Sequence, residues 1–197
     1  METLTINLPT TVGITDEQFY QLSIANEEWR FELTAEGELI IMSPTGGESG
    51  IRNSDLTTDV NLWNRQTQLG KVFDSSTVFR LPNGAKRSPD VSWVLRSRWD
   101  ALSIEDKRKF PPLCPDFVME LRSATDSLEK LRLKMLDYQA NGCRLGWLID
   151  PLTPLVEIYR RDREVETINF SFDQPPTLSG EDILPGFFLD LTLILNP

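Results

Sequence analysis

Apolar residues along this chain fall into short runs, some spaced as on one face of a helix, others alternating or continuous as in strands. After a polar start, "TDEQFYQLSIAN" opens on Thr15, carries acids in its first turn and sets Phe19 and Leu22 at helical spacing. That predicts a short helix capped by the threonine. "WRFELTAEGELIIMS" reads as two strand-like runs around Ala35-Glu36-Gly37, a hairpin. Pro44 to Gly50 breaks the pattern, and Leu56, Val60 and Trp63 then recur at i, i+4 and i+7, an amphipathic helix ending before Gly70. Traced back at the same spacing, this stripe reaches Asn53, Arg52 and Ser49 with Glu48 on its flank. The inward face of the helix therefore turns polar at its N-terminal end.

"KVFDSSTVFRL" and "SPDVSWVL", parted by Pro82-Asn83-Gly84, read as two strands joined by a turn. The charged, Pro-containing stretch from Arg96 to Pro115 reads as a loop or short helical excursion. "DFVMEL" is a buried strand. Asp126, with Glu129 three residues on, predicts a helix start, and the helix runs through Tyr138 to a stop at Asn141-Gly142. "RLGWLID", "LVEIYRR" and "EVETINFSF" follow as strands, with Arg161-Asp162-Arg163 at a hairpin tip. No internal repeat or low-complexity tract interrupts them. This order of helices and strands predicts an α/β fold with a mixed central β-sheet flanked by helices.

Composition narrows the chemistry. At 197 residues and 40% apolar content the chain is expected to form one domain over residues 1–197 around a sizeable core. It shows no leader pattern and no apolar run near the roughly 20 residues that span a bilayer, so a soluble, cytoplasmic protein without membrane contact is expected. Cys114 and Cys143 lack metal-ligand spacing and read as buried free thiols. The absence of histidine removes the commonest general base, the histidine-dependent triads and imidazole-based zinc sites. A net charge of −10 argues against a sequence-independent nucleic-acid binder. Residues 80–134, however, carry twelve Lys/Arg against eight Asp/Glu, a stretch that either faces a polyanion or is a solvated surface.

The stretch "PDFVMELRS" holds Asp116 and Glu120 on one face of a strand, but roughly 13 Å apart at about 3.3 Å per residue. One ion cannot bridge them, since Mg²⁺ holds its oxygens at about 2.0–2.1 Å. Asp116 is therefore expected to cap or pair with a nearby base. The partner of Glu120 must come from an adjacent strand, and Asp90 in "SPDVSWV" is the earlier acid placed at a strand start after a proline. Arg122, two residues past Glu120, shares its face.

Taken in order, "RSPDVSWV", "PDFVMELRSATDS", "LRLKMLDYQANG" and "CRLGWLIDP" resemble the Uma-type family of putative restriction endonucleases, common in cyanobacteria and part of the PD-(D/E)XK nuclease superfamily. The likeness runs from about Phe31 to the C-terminal "ILPGFFLDL". It implies a restriction-endonuclease-like core with an N-terminal hairpin extension, DNA as partner, Mg²⁺ or Mn²⁺ as cofactor, and by analogy a homodimer. By this resemblance Asp90 matches the acid of the "PD" element and Glu120 that of "(D/E)XK". Glu48 matches the acid on the first helix, and Glu32 in "FELTAEGEL" is a reserve candidate.

Two positions depart from the family pattern. Arg122 stands where the superfamily has its final lysine, and Ala124 where relatives often have proline. Arg122 stays protonated, so it is no general base, though it is suited to holding a phosphate. Lys134 lies about 70° from the centre of the apolar stripe formed by Leu128, Leu131, Met135 and Tyr138. It is thus placed to act as a migrated lysine, whereas Lys130 points further towards solvent; the alternative is a lysine snorkelling past the core. The expected function is metal-dependent endonucleolytic hydrolysis of DNA, with Asp90, Glu120 and Glu48 on the ion and Asp90, Glu120, Lys134 and Arg122 in catalysis. The alternatives are a catalytically inactive nuclease-fold protein acting as a nucleic-acid-binding or regulatory module, a metal-free carboxylate hydrolase using Asp90 and Glu120 as acid and base, and an interaction-only protein.

Overall fold

The computed structural model describes residues 4–9, 11–42 and 44–195. The N-terminal part is β1 (Leu4–Asn7), α1 (Asp16–Ala25), β2 (Arg30–Leu33) and β3 (Glu38–Met42). Helix α1 is capped by Thr15, as the sequence predicts, and Gln18 completes a reciprocal capping box. Helix α2 (Gly47–Thr67) starts inside the stretch read as a break. It ends where Gln68 turns left-handed and its N–H closes on the Asn64 carbonyl.

The first of the two strands expected next is divided into β4 (Gly70–Asp74) and β5 (Phe79–Arg80); a further short strand, β6 (Lys86–Arg87), precedes the second, which forms one strand, β7 (Val91–Leu95). The break has a local cause. Asp74 Oδ1 accepts both the backbone N–H and the hydroxyl of Ser76, a side-chain turn that lifts the chain out of one sheet and into another. Consequently the Pro82-Asn83-Gly84 turn joins β5 to β6, while β4 and β7 still pair antiparallel. Two short helices, α3 (Arg96–Asp100) and α4 (Ile104–Arg108), occupy the charged stretch before β8 (Phe117–Leu121). Helix α5 (Leu128–Ala140) starts one residue later than expected. Ser127 is its cap, accepting the Lys130 N–H, because Asp126 is engaged by the Ser123 N–H. The remaining elements are β9 (Leu145–Asp150), β10 (Leu155–Arg160), β11 (Glu166–Asn169), β12 (Thr177–Ser179), β13 (Phe188–Asp190) and α6 (Leu191–Leu195).

The main sheet has the order β11-β10-β9-β8-β7-β4. It is mixed, as predicted: β8 and β9 run parallel, joined by the α5 crossover, and the other neighbours are antiparallel. A five-stranded antiparallel sheet, β1-β3-β2-β6-β5, is built around the N-terminal hairpin, and β12 and β13 pair separately. Alternation along β8 shows how the layers meet. Phe117, Met119 and Leu121 join Leu56, Val60 and Trp63 of α2 in one core, while Val118 joins Met135 and Tyr138 of α5 in the other. Glu120 shares the α5 face with Val118, so the strand's single acid enters the layer between sheet and crossover helix.

Gly70 marks the tightest approach in this frame. A Cβ there would overlap the Val94 carbonyl oxygen and the Trp93 indole, neither of which is a flexible chain end. Gly70→Ala is expected to lower stability by about 1–3 kcal/mol. In urea this should appear as a lower midpoint at unchanged slope, and an unchanged midpoint would contradict the packing.

Candidate active site

The β7–β8 register pairs Val91 with Met119 and Trp93 with Phe117. One step further along both chains, Asp90 stands across from Glu120. The backbone aims Asp90, whose Oδ2 accepts the Leu121 N–H at 2.8 Å, and Asn53 of α2 donates from Nδ2 to Oδ1 at 3.2 Å. Asp90 keeps an opening to solvent, whereas Glu120 is only 3% exposed. Glu120 Oε1 meets Lys134 Nζ at 2.8 Å and accepts from the Tyr138 hydroxyl at 3.2 Å. Lys134 and Tyr138 lie one turn apart on α5, so a single helix face supplies both contacts.

Lys134 is gripped from a second direction. Its ammonium also meets Glu32 Oε1 at 2.8 Å and donates to the Ser88 carbonyl at 3.0 Å. Glu32 comes from β2 in the smaller sheet. It is fixed by the Ser88 N–H at 2.9 Å and by Arg87 at 3.3 Å, and Arg87 is anchored in turn on Asp137. The cluster thus sets three acids, Glu32, Asp90 and Glu120, around one lysine and one arginine.

Charge in this layer is unevenly balanced. Burial pushes Glu120 up to about 8, with Asp90 and Glu32 adding repulsion and Lys134 opposing. Burial likewise raises Asp90, against the pull of Lys134 and the Leu121 N–H. Glu32 goes the other way: burial would raise it, but Lys134, Arg87 and the Ser88 N–H hold it below its ordinary value. Burial would lower Lys134, but Glu120, Glu32 and Asp90 together hold it well above its usual range, and it stays an ammonium. Glu120 is therefore readily protonated near neutral pH.

The other residues singled out in the sequence sit elsewhere. Asp116 is capping and paired as expected: it accepts the Leu95 N–H at 2.8 Å and meets Arg98 at 3.0 Å. Arg122 lies just past β8, tied to the fully buried Asp150 at 2.7 Å and to the Asp126 carbonyl at 3.2 Å. Glu48 is 71% exposed and paired with Arg52, so the α2 side chain that reaches Asp90 is Asn53. Lys130 is exposed, as its helical angle implies. The basic stretch from 80 to 134 is largely spent on the protein itself: Arg80, Lys86, Arg87, Arg98, Lys109, Arg122, Arg132 and Lys134 all pair with acids. Its positive excess is therefore mostly neutralised rather than presented to a polyanion.

Tyr138 reads from sequence as core stripe, yet its hydroxyl is part of the cluster; its i+4 spacing from Lys134 is the signal that finds it. Among the described residues no three acidic or cysteine side chains converge as a ready-made metal site. The donor set nevertheless fits a hard divalent ion. Two facing carboxylates with neutral oxygens and water are the ligands Mg²⁺ and Mn²⁺ take. Asn53 Oδ1, beside Asp90, is buried and without a hydrogen-bond partner.

No helix of the described residues is long and apolar enough to cross a membrane. A search of curated proteins returns no match. Among solved structures, the chain is similar to a putative nuclease belonging to DUF820 from Anabaena variabilis ATCC 29413, at 18% identity and a TM-score of 0.69, covering 84% of this chain and 89% of that one. That likeness carries the fold. The sequence itself matches the family model Uma2, described as "Putative restriction endonuclease", over residues 16–192. The chain belongs to the Uma2 family of putative restriction endonucleases.

Proposed function

We propose that this protein is a divalent-metal-dependent endonuclease that hydrolyses DNA phosphodiester bonds, with Mg²⁺ or Mn²⁺ held by Asp90 and Glu120. The observation that best supports this is the pairing of these two acids across β7 and β8 with the charged Lys134 against Glu120. When bound, the ion supplies Lewis acidity, offsetting charge on a phosphoryl oxygen and making water nucleophilic near neutral pH.

The chain's own groups do the rest. Leu121 N–H and Asn53 hold Asp90 towards the solvent-facing opening. Lys134, kept charged, orients the attacking water and offsets negative charge building on the phosphoryl group; it does not take a proton. Glu32 and the Ser88 carbonyl act as positioning groups for that ammonium. Arg122, held by Asp150 and the Asp126 carbonyl, turns its remaining N–H groups to a neighbouring phosphate. Glu48 takes no part in holding the ion in this reading. A cytoplasmic homodimer would present one site to each strand of a duplex.

A second reading, a nuclease-fold protein that binds nucleic acid or regulates without cutting, is favoured by Arg122 at the lysine position and by the neutralised basic stretch. Nicking of supercoiled plasmid and cutting of single-stranded DNA in Mg²⁺, Mn²⁺ and EDTA separate the two. Metal-dependent cutting by wild type, lost in Asp90→Ala and in Glu120→Ala, is expected. Wild type that binds Mn²⁺ and DNA without cutting would identify the inactive module, and cutting that survives EDTA would rule out the metal mechanism.

A further inference from the structure

Asn53 projects from α2 one helical turn ahead of the stripe Leu56, Val60 and Trp63, at the point where that inward face turns polar. Its amide nitrogen donates to Asp90 Oδ1 at 3.2 Å, and its carbonyl oxygen is shut off from solvent with nothing to accept from. An unsatisfied buried acceptor of this kind costs about 1–3 kcal/mol. Reversing the amide gives no relief, since it would set Asn53 Oδ1 against Asp90 Oδ1, two acceptors facing each other. A cation shared with Asp90 resolves the conflict in one move, because it satisfies both oxygens at once. Asn53 also lines an open groove with Arg30, Gly50, Thr57, Asp74 and Ser75.

We propose that the Asn53 side-chain carbonyl is a third, neutral oxygen ligand of the divalent-ion site, in the place where the sequence expectation had put Glu48. This inference rests on the reading of Asp90 and Glu120 as the ion's carboxylates. A neutral third donor leaves two carboxylates to balance a divalent charge, adding a contact without adding repulsion to a cluster already crowded with acids.

The test uses the full chain and Mn²⁺ alone as the probe. Binding is followed by electron paramagnetic resonance for wild type, Asn53→Leu and Asp90→Asn. Electron–nuclear double resonance is then recorded on wild type and Asn53→Leu carrying asparagine labelled with ¹³C at the side-chain carbonyl. Mn²⁺ is expected to bind wild type, about tenfold more weakly Asn53→Leu, and not Asp90→Asn. Labelled wild type should show a ¹³C coupling that Asn53→Leu lacks. Absence of that coupling in wild type, or its persistence in Asn53→Leu, would overturn the role of Asn53 and leave the carboxylate site standing if Asp90→Asn still abolishes binding. Failure of wild type to bind Mn²⁺ would overturn both. Should Asn53→Leu not fold, the coupling in labelled wild type decides alone.

Discussion

Lys134→Met is expected to abolish metal-dependent cutting and to lower stability at pH 7 by about 3–5 kcal/mol, the usual cost of removing one partner from a buried charge pair. Methionine keeps an unbranched stem close to that of lysine but offers Glu32, Glu120 and the Ser88 carbonyl nothing to bind. Glu32, nearly sealed from water, is then left with the longer contact to Arg87 and the Ser88 N–H, and Glu120 with the Tyr138 hydroxyl. The sign of the pH dependence follows. Glu32 has a lowered folded-state pKa, so its contribution is present above its unfolded value and is lost as pH falls through the folded one. Lys134 is raised, and its contribution is present below its unfolded value and lost only as pH rises through the folded one. The deficit of the variant should therefore be largest at neutral pH and shrink as pH falls below the unfolded value of Glu32 and through its lowered folded one. Urea unfolding of both proteins at pH 7 and pH 4 reads this directly. Equal midpoints at pH 7 would show that the ammonium is not holding the cluster together.

Affinity for Mn²⁺ should climb by about tenfold per pH unit from roughly pH 6 to pH 8 and level off above, with close to one proton released per ion. The cause is Glu120, held near 8 by burial and by the acids beside it, which must lose its proton to ligate. Without the ion the linkage runs the other way. Glu120 is raised, so its contribution to stability is full below its unfolded value of 4.5 and fades as pH rises through about 8. Metal-free protein thus loses this contribution over the same range in which ion binding strengthens. Calorimetric titration at pH 6, 7 and 8 in buffers of different protonation enthalpy measures both affinity and proton release. A flat affinity across that range would mean that Glu120 is already ionised or is not a ligand.

What could be read from sequence was governed by local pattern. The alternation in "DFVMEL" and "SPDVSWVL" fixes which residues point together, so the neighbourhood of Asp90 and Glu120 follows once those strands pair. Helical angle alone turned Lys134 inward and Lys130 outward. What escaped depends on contacts made far along the chain. Strands β5 and β6 are two residues each, too short to carry any period, yet they build the sheet that delivers Glu32 to Lys134. Asn53 and Glu48 sit on one helix, and only its packing against the sheet decides which of them meets Asp90. The basic stretch looked like a surface for polyanions because its acids, among them Asp16, Glu157 and Asp150, lie in distant segments.

The double grip on Lys134 has a consequence for how the molecule comes apart. Glu32 belongs to the smaller sheet and Glu120 to the larger, and the ammonium bridges them although they lie far apart along the chain. The smaller sheet cannot swing away without parting the buried Glu32 from the ammonium that faces it. The electrostatic cluster that would serve chemistry is thus also a rivet, and it ties two sheets into one cooperative unit of unfolding.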